Sequence, residues 1–295
     1  MHKGLGFTLL EVMIFVAVSG FIFVFAVGSI TSQQRRVQFS QSTREFESKI
    51  LDIINDVSTG YYPMNDLIGC SAGGAGQRPT LSSAGGTEMG TNSACLNIGK
   101  AMQLRPVVDT TQQESNFYVY NLIGRRYAGD ADDGVTVKNL ADAKPLAATL
   151  NTINDAVEYA ELRYGLKVTR VYSGSDLSNV REYGTIAFVS NFEGSPVGNS
   201  PASSQGQTIR VGGIVDTSTD PADHTKDEAV SIVINNLTDD NSLQGTTGYF
   251  EMYDPTTGIV ICLEDMYERK ASLQIGKNGK ASTELKVDDY ELGCD

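Results

Sequence analysis

An α+β fold is predicted, a long N-terminal helix followed by a head of antiparallel strands, and three observations predict it. Residues Val12 to Ile30 are almost wholly apolar, and no charged residue occurs from Val12 to Gln34. A helix-period pattern continues beyond that run, with no Gly between Gly28 and Gly60 and no Pro before Pro63. After Pro63 the texture changes to short β-branched and aromatic segments separated by Gly, Asn, Asp and Ser clusters. A helix first and antiparallel strands afterwards is the α+β order.

The apolar run is long enough to cross a bilayer as a helix, at about 1.5 Å per residue across about 30 Å of hydrocarbon. A membrane-spanning segment over residues 12–30 is therefore expected. A plain anchor satisfies this pattern. So does an ordinary secretory signal, with Ala26-Val27-Gly28 as a small-x-small cleavage site. Neither accounts for Glu11, a carboxylate at the edge of the run that is costly to place in lipid without a partner.

Beyond the run, Phe39, Phe46, Ile50, Ile53 and Val57 recur at helical spacing and share one face. Glu45 and Lys49 stand at i,i+4, a spacing that favours an ion pair on the helix surface. One helix from Thr8 to Ser58, about 75 Å long, is expected, ended by Gly60 and Pro63.

In the head, Cys70 to Cys95 reads as an irregular loop rich in Gly and Ser. Strands are expected over residues 117–122, 166–172, 185–192, 208–215 and 229–235, and a short helix over 151–163. Two hairpins are expected. Residues 248–253 and 259–263 flank Asp-Pro-Thr-Thr-Gly, and 271–275 and 281–287 flank an Asn278-Gly279 turn. The four cysteines allow three connectivities. Proximity in sequence favours Cys70 with Cys95 and Cys262 with Cys294.

The chain has 295 residues and a formal charge of −13. Such acidity disfavours generic binding of nucleic acid. Only two histidines occur, His2 and His224, which disfavours zinc sites and Ser-His-Asp hydrolysis. No P-loop or Cys-x-x-Cys motif is present. Asp130-Ala131-Asp132-Asp133-Gly134 looks like half of a calcium loop, but Ala141 stands where the twelfth-position acid belongs. No catalytic residue, cofactor or metal ligand is assigned, and no enzymatic activity is expected.

Gly6-Phe7-Thr8-Leu9-Leu10-Glu11, followed by the apolar run, resembles the processing signal of type IV pilins and pseudopilins. The resemblance implies a pilin-like fold with three parts: a leader, residues 1–6; a long helix, 7–60; and an extracellular head, 61–295. It implies cleavage between Gly6 and Phe7 by a prepilin peptidase, with N-methylation of Phe7. It gives Glu11 a partner, the N-terminal amine of a neighbouring subunit. The other partners are further pilin subunits, an ATP-driven assembly platform and the cytoplasmic membrane before assembly. The subunit then passes from a single-pass membrane protein into an extracellular filament. The size of the head suggests a minor pilin or pseudopilin. Many family members carry Pro where this chain has Gly28, a poor helix former that implies a point of local melting in a filament. Leader processing requires an inside N-terminus, although Lys3 is the leader's one positive side chain while Arg35 and Arg36 follow the run. The alternative function is that of a membrane-anchored or secreted adhesin or enzyme with an ordinary signal.

Overall fold

The structure is a computed structural model. It describes residues 8–60, 69–71, 78–82, 95–104, 115–127, 137, 143–148, 157–173, 181–190, 209–214, 250–252, 258–277, 282–287 and 294. A single helix, α1 (Leu9–Thr59), takes up 51 residues. Thr8 is its N-cap and Gly60 its C-cap. Gly60 adopts φ 69°, a left-handed conformation that a residue without Cβ enters freely, and its N–H closes on the carbonyls of Asp56 and Val57. The helix runs unbroken through Gly28, and the Thr31 hydroxyl donates to the Val27 carbonyl at 2.8 Å.

Two antiparallel sheets form the head, with strands β1 (Gly69–Ser71), β2 (Thr80–Ser82), β3 (Cys95–Gln103), β4 (Asn116–Arg125), β5 (Leu146–Ala147), β6 (Val157–Glu161), β7 (Lys167–Ser173), β8 (Arg181–Glu182), β9 (Thr185–Ser190), β10 (Ile209–Ile214), β11 (Phe250–Met252), β12 (Ile259–Glu264), β13 (Lys270–Ile275) and β14 (Thr283–Val287). The larger sheet runs β11-β10-β9-β3-β4-β5, with β6 also on β4. The smaller runs β14-β13-β12-β7-β8, and β1 with β2 make a separate ribbon.

The second half of α1 supplies the seam between the sheets. Phe39, Phe46, Ile50, Ile53, Ile54 and Val57 are buried in one cluster with residues of both sheets. Met102, Phe117, Val119, Ile186 and Phe188 come from the larger sheet, and Val171, Ile259, Ile261, Leu263 and Leu273 from the smaller. Each such side chain contributes about 1.5–3 kcal/mol by leaving water. Phe46 and Phe117 meet edge to face at 5.7 Å. The alternate residues of β4, Tyr118, Tyr120 and Leu122, fill a second cluster behind the larger sheet with Ile98, Ala101 and Ala187. Tyr172, Val260, Cys262 and Cys294 make a third behind the smaller sheet.

Several expectations need correction. Glu45 and Lys49 do not pair with each other. Lys49 bonds Glu158 on β6, and Glu45 reaches Arg163 at 3.5 Å. Of the helix expected over 151–163, Val157–Glu161 is a strand and Arg163 begins a single 3-10 turn, Arg163–Gly165. Helix-favouring Glu, Ala and Leu are overridden because β6 completes the edge of β4, with Tyr118 opposite Tyr159. The expected hairpin of 248–253 and 259–263 is a crossing between sheets. There β11 pairs with β10, whereas β12 pairs with β13 and β7. The loop after Cys70 contains the β1–β2 ribbon and leads to β3, a central strand that the sequence pattern did not suggest. The hairpin of β13 and β14 forms, with Ile275 opposite Thr283. Residues 229–235, Pro63, Asn278 and Gly279 lie outside the described residues.

Strand β3 is obscure in sequence for a reason. A bulge at Ile98 shifts its register against β4, and Gly99 passes so close to β9 that an added Cβ would sit 2.1 Å from the Phe188 carbonyl oxygen. Lys100, 3 % exposed, turns to the helix and meets Asp56 at 2.5 Å.

Ile50 is fully buried at the middle of the seam. Ile50→Ala is expected to cost about 2–5 kcal/mol, the range for truncating a packed core side chain. Denaturant unfolding followed by circular dichroism measures it. A loss below 1 kcal/mol would mean that the helix does not hold the head together. Asp56→Ala strands the Lys100 ammonium in the core, and about 3–5 kcal/mol is expected there.

Candidate functional site

The helix divides into two halves that differ in what surrounds them. Its most apolar 18-residue window is 0 % buried, so among the described residues nothing covers it. Leu10, Met13, Phe15, Phe21, Phe23 and Phe25 are each more than half exposed. By length and composition this half is able to cross a membrane. The second half is seated in the head.

At the free end, Thr8 sits in extended backbone, φ −75° and ψ 148°, and turns the chain into the helix. Its hydroxyl accepts from the Glu11 N–H at 3.3 Å, and its carbonyl accepts from the N–H groups of Glu11 and Val12. Thr8-Leu9-Leu10-Glu11 is thus a capping box sequence, of which the threonine half is made. Glu11 lies in the first turn, where the positive end of the helix dipole favours a carboxylate. The Glu11 side chain is exposed. Thr8 was not singled out in the sequence as a site residue, although Thr-x-x-Glu before an apolar run is the signal that marks it. Gly6 and Phe7 lie outside the described residues.

Family profiles, characterised proteins and solved structures return no match to this chain. What the N-terminal segment does has to follow from its own residues and geometry.

The head carries its cysteines as two disulfides. Cys70 is joined to Cys95 with Cα atoms 6.2 Å apart, and Cys262 to Cys294 at 5.3 Å. The first ties the β1–β2 ribbon to the start of β3. The second fastens the C-terminal tail to the outer face of β12, where both sulfurs share a cluster with Tyr172 and Val260. Each loop of this size adds about 3 kcal/mol through the unfolded chain.

Among the described residues no three His, Cys, Asp or Glu side chains are grouped to hold a metal. Asp130 to Gly134, Ala141 and His224 lie outside them. A cleft of about 290 Å³ runs between α1 and β6, lined by Ser42, Glu45, Lys49, Asp52, Glu161 and Arg163. Its polar groups fasten the helix. Besides the ion pairs of Glu45 and Lys49, the Ser42 hydroxyl donates to the Arg163 carbonyl at 2.8 Å.

Thr8→Val removes the capping oxygen, and the first turn is expected to lose about 1 kcal/mol. Amide exchange of the detergent-solubilised chain should then quicken at Leu10 to Val12 and stay unchanged beyond Gly28. Equal protection in variant and wild type would make the cap dispensable.

Proposed function

We propose that this chain is a structural subunit of a type IV pilus or of a related pseudopilus, more specifically a minor one. The observation that carries the reading is the junction Gly6-Phe7-Thr8-Leu9-Leu10-Glu11 placed directly before a helix half that the chain itself leaves bare. An apolar helix of that length needs lipid or the helices of neighbours, and a filament core supplies the second as a membrane supplies the first. The described fold agrees with the plan of a pilin, a long helix whose second half is packed on antiparallel strands.

In this reading residues 1–6 stay on the cytoplasmic side, the head is exported, and prepilin peptidase cuts after Gly6. Phe7 becomes the methylated first residue and Thr8 the second, so the cap that starts the helix survives processing. The new amine is cationic and sits just ahead of the positive end of the helix dipole. Its own helix end therefore disfavours it, and a carboxylate from a neighbour is the remedy. Glu11 is that carboxylate. Opposite charges attract strongly in a dry filament core, and either one left alone is costly.

The processing test is an intact mass and an N-terminal sequence of the mature protein. Phe7 carrying one methyl group on its amine is expected. A start at Ser29, after Ala26-Val27-Gly28, would replace this reading with an ordinary secretory signal.

The assembly test is Glu11→Gln, which keeps shape and hydrogen bonding and removes the charge. Leader removal and membrane insertion should be unaffected, because Gly6 and the apolar run are intact. Incorporation into sheared surface filaments should fall steeply, since the unpaired amine costs several kcal/mol on entering the dry core. Glu11→Leu should behave alike. Incorporation equal to wild type would leave a membrane-anchored head without an assembly role for Glu11.

A further inference from the structure

We propose that the end of the head nearest the bare half of α1 is a seat for anionic phospholipid headgroups, formed by Arg35, Arg36, Met266 and Tyr267. The inference rests on the reading that the first half of the helix spans a membrane, and it does not require filament assembly.

The position follows from helix geometry. Arg35 stands five residues past Ile30, about 7.5 Å along the axis. The headgroup layer is about 5–7 Å deep on each side of the hydrocarbon. With Val12 to Ile30 in the hydrocarbon, Arg35 falls at the outer edge of that layer. Tyr267 falls there with it, because the Arg35 guanidinium lies over its ring at 4.2 Å. Tyr267 belongs to the turn between β12 and β13, which the fold brings beside the helix at this level.

The turn is held in shape. Asp265 is 4 % exposed, and its carboxylate accepts from the N–H groups of Tyr267 at 2.8 Å and Arg269 at 2.9 Å. Glu268 takes φ 61°, a left-handed conformation unusual for a residue with a side chain. This built turn presents Met266 and Tyr267 outward, with the exposed Glu268 beside them. Met266 is 66 % exposed and Tyr267 44 %. A fixed turn that exposes a methionine and a tyrosine to water is poorly accounted for in a head whose other large apolar side chains are mostly buried. Tyrosine, with an apolar ring and a polar tip, is enriched at the membrane–water interface.

Charge selects the lipid. The chain is strongly acidic, at −13, and an acidic head is repelled by an anionic surface. Yet the guanidinium groups of Arg35 and Arg269 both lie over the Tyr267 ring, at 4.2 and 5.6 Å, with Arg36 and Lys270 next to them in sequence. Asp265 is engaged with Arg269 at 3.7 Å, which leaves Glu268 as the turn's other acid. The local balance is positive. It also gives a reason for the Arg35-Arg36 doublet, which stands on the exported side, where the usual distribution of Lys and Arg around a span does not place it. Each such charge near an anionic surface favours contact by about fivefold.

The chain contains no tryptophan, so a single introduced one reports its own surroundings. Full-length Met266→Trp is reconstituted into phosphatidylcholine vesicles with and without one third phosphatidylglycerol, using lipids brominated at the headgroup end of the acyl chain and, in parallel, lipids brominated at mid-chain. Two further variants serve as references. Phe21→Trp lies at the centre of the apolar run. Tyr159→Trp is exposed on β6, next to Glu158, whose partner Lys49 lies about 21 Å further along the axis than Arg35. Bromine quenching and blue-shifted emission are expected at position 266, more so with phosphatidylglycerol, and none at 159. Replacing Arg35 and Arg36 by Gln should lower the docked fraction relative to the undocked about fivefold per charge. If Trp at 21 is quenched and Trp at 266 is as exposed as at 159, the headgroup seat is refuted and the span stands. If 266 is blue-shifted without bromine quenching, the turn contacts another copy of the chain and the lipid seat is likewise refuted. If Trp at 21 is not quenched by lipids brominated at mid-chain, the span itself falls, and the seat with it.

Discussion

Among the described residues, a helix of 51 residues has one half that its own chain covers and one that it leaves bare. That imbalance is the constraint on which the rest depends. Burying the apolar surface from Leu9 to Ile30 inside the head would require the helix to break and fold back. The sequence provides no device for it, since Gly20 and Gly28 are carried inside one continuous helix and no Pro occurs before Pro63. The surface has to be covered from outside the molecule, by lipid or by other helices.

The second half has the opposite problem, to be gripped tightly enough that helix and head move as one. Apolar contact does most of this, but the polar pins are placed around the seam rather than at one point. Asp56, Lys49 and Glu45 take Lys100, Glu158 and Arg163 on one flank, and Glu47 accepts from Thr283 on β14 at 2.9 Å on the other. The exposed pairs add little energy singly. The Lys100–Asp56 pair differs, because the ammonium is buried and has been stripped of water. A load applied along the helix therefore reaches both sheets through side chains on both sides of it.

How much of this was legible depended on whether the signal was local. The helix could be read nearly to its ends, because periodicity, the absence of Gly and Pro, and the Gly60 stop all reside in adjacent residues. The β13–β14 hairpin was legible for the same reason. The partner of β12 was not, because the choice between β11 and β13 is made by which face Ile259, Ile261 and Leu263 bury, and that face belongs to a core built from distant segments. Strand β3 was hidden by Lys100, Gly99 and a bulge. Each of these looks unlike a strand until Asp56 and the Phe188 backbone are in place. At the candidate site Glu11 was found by its cost in lipid. Thr8 is less legible, because a cap is a backbone geometry and the same Thr-x-x-Glu spacing lies within a sequence that resembles a cleavage junction.

The rigidity of the helix gives the proposed amine–carboxylate pair a further consequence. Phe7 and Glu11 are four residues apart, so joining the amine of one subunit to the carboxylate of its neighbour staggers their helices by about 6 Å along the axis, before the reach of the side chain is added. Most of the run from Val12 to Ile30 still overlaps between such neighbours, and their apolar surfaces cover one another. Because the second half of each helix is fixed in its head, the heads are displaced by the same stagger. One charge at the start of the helix thereby sets the axial spacing of structures some 75 Å away. The apolar run contributes adhesion without register, since any sliding of one smooth hydrophobic surface along another costs little. In the proposed assembly Glu11 would supply the register, because it is the only charged side chain between Thr8 and Gln34 and no other pairing along that surface would compete with it.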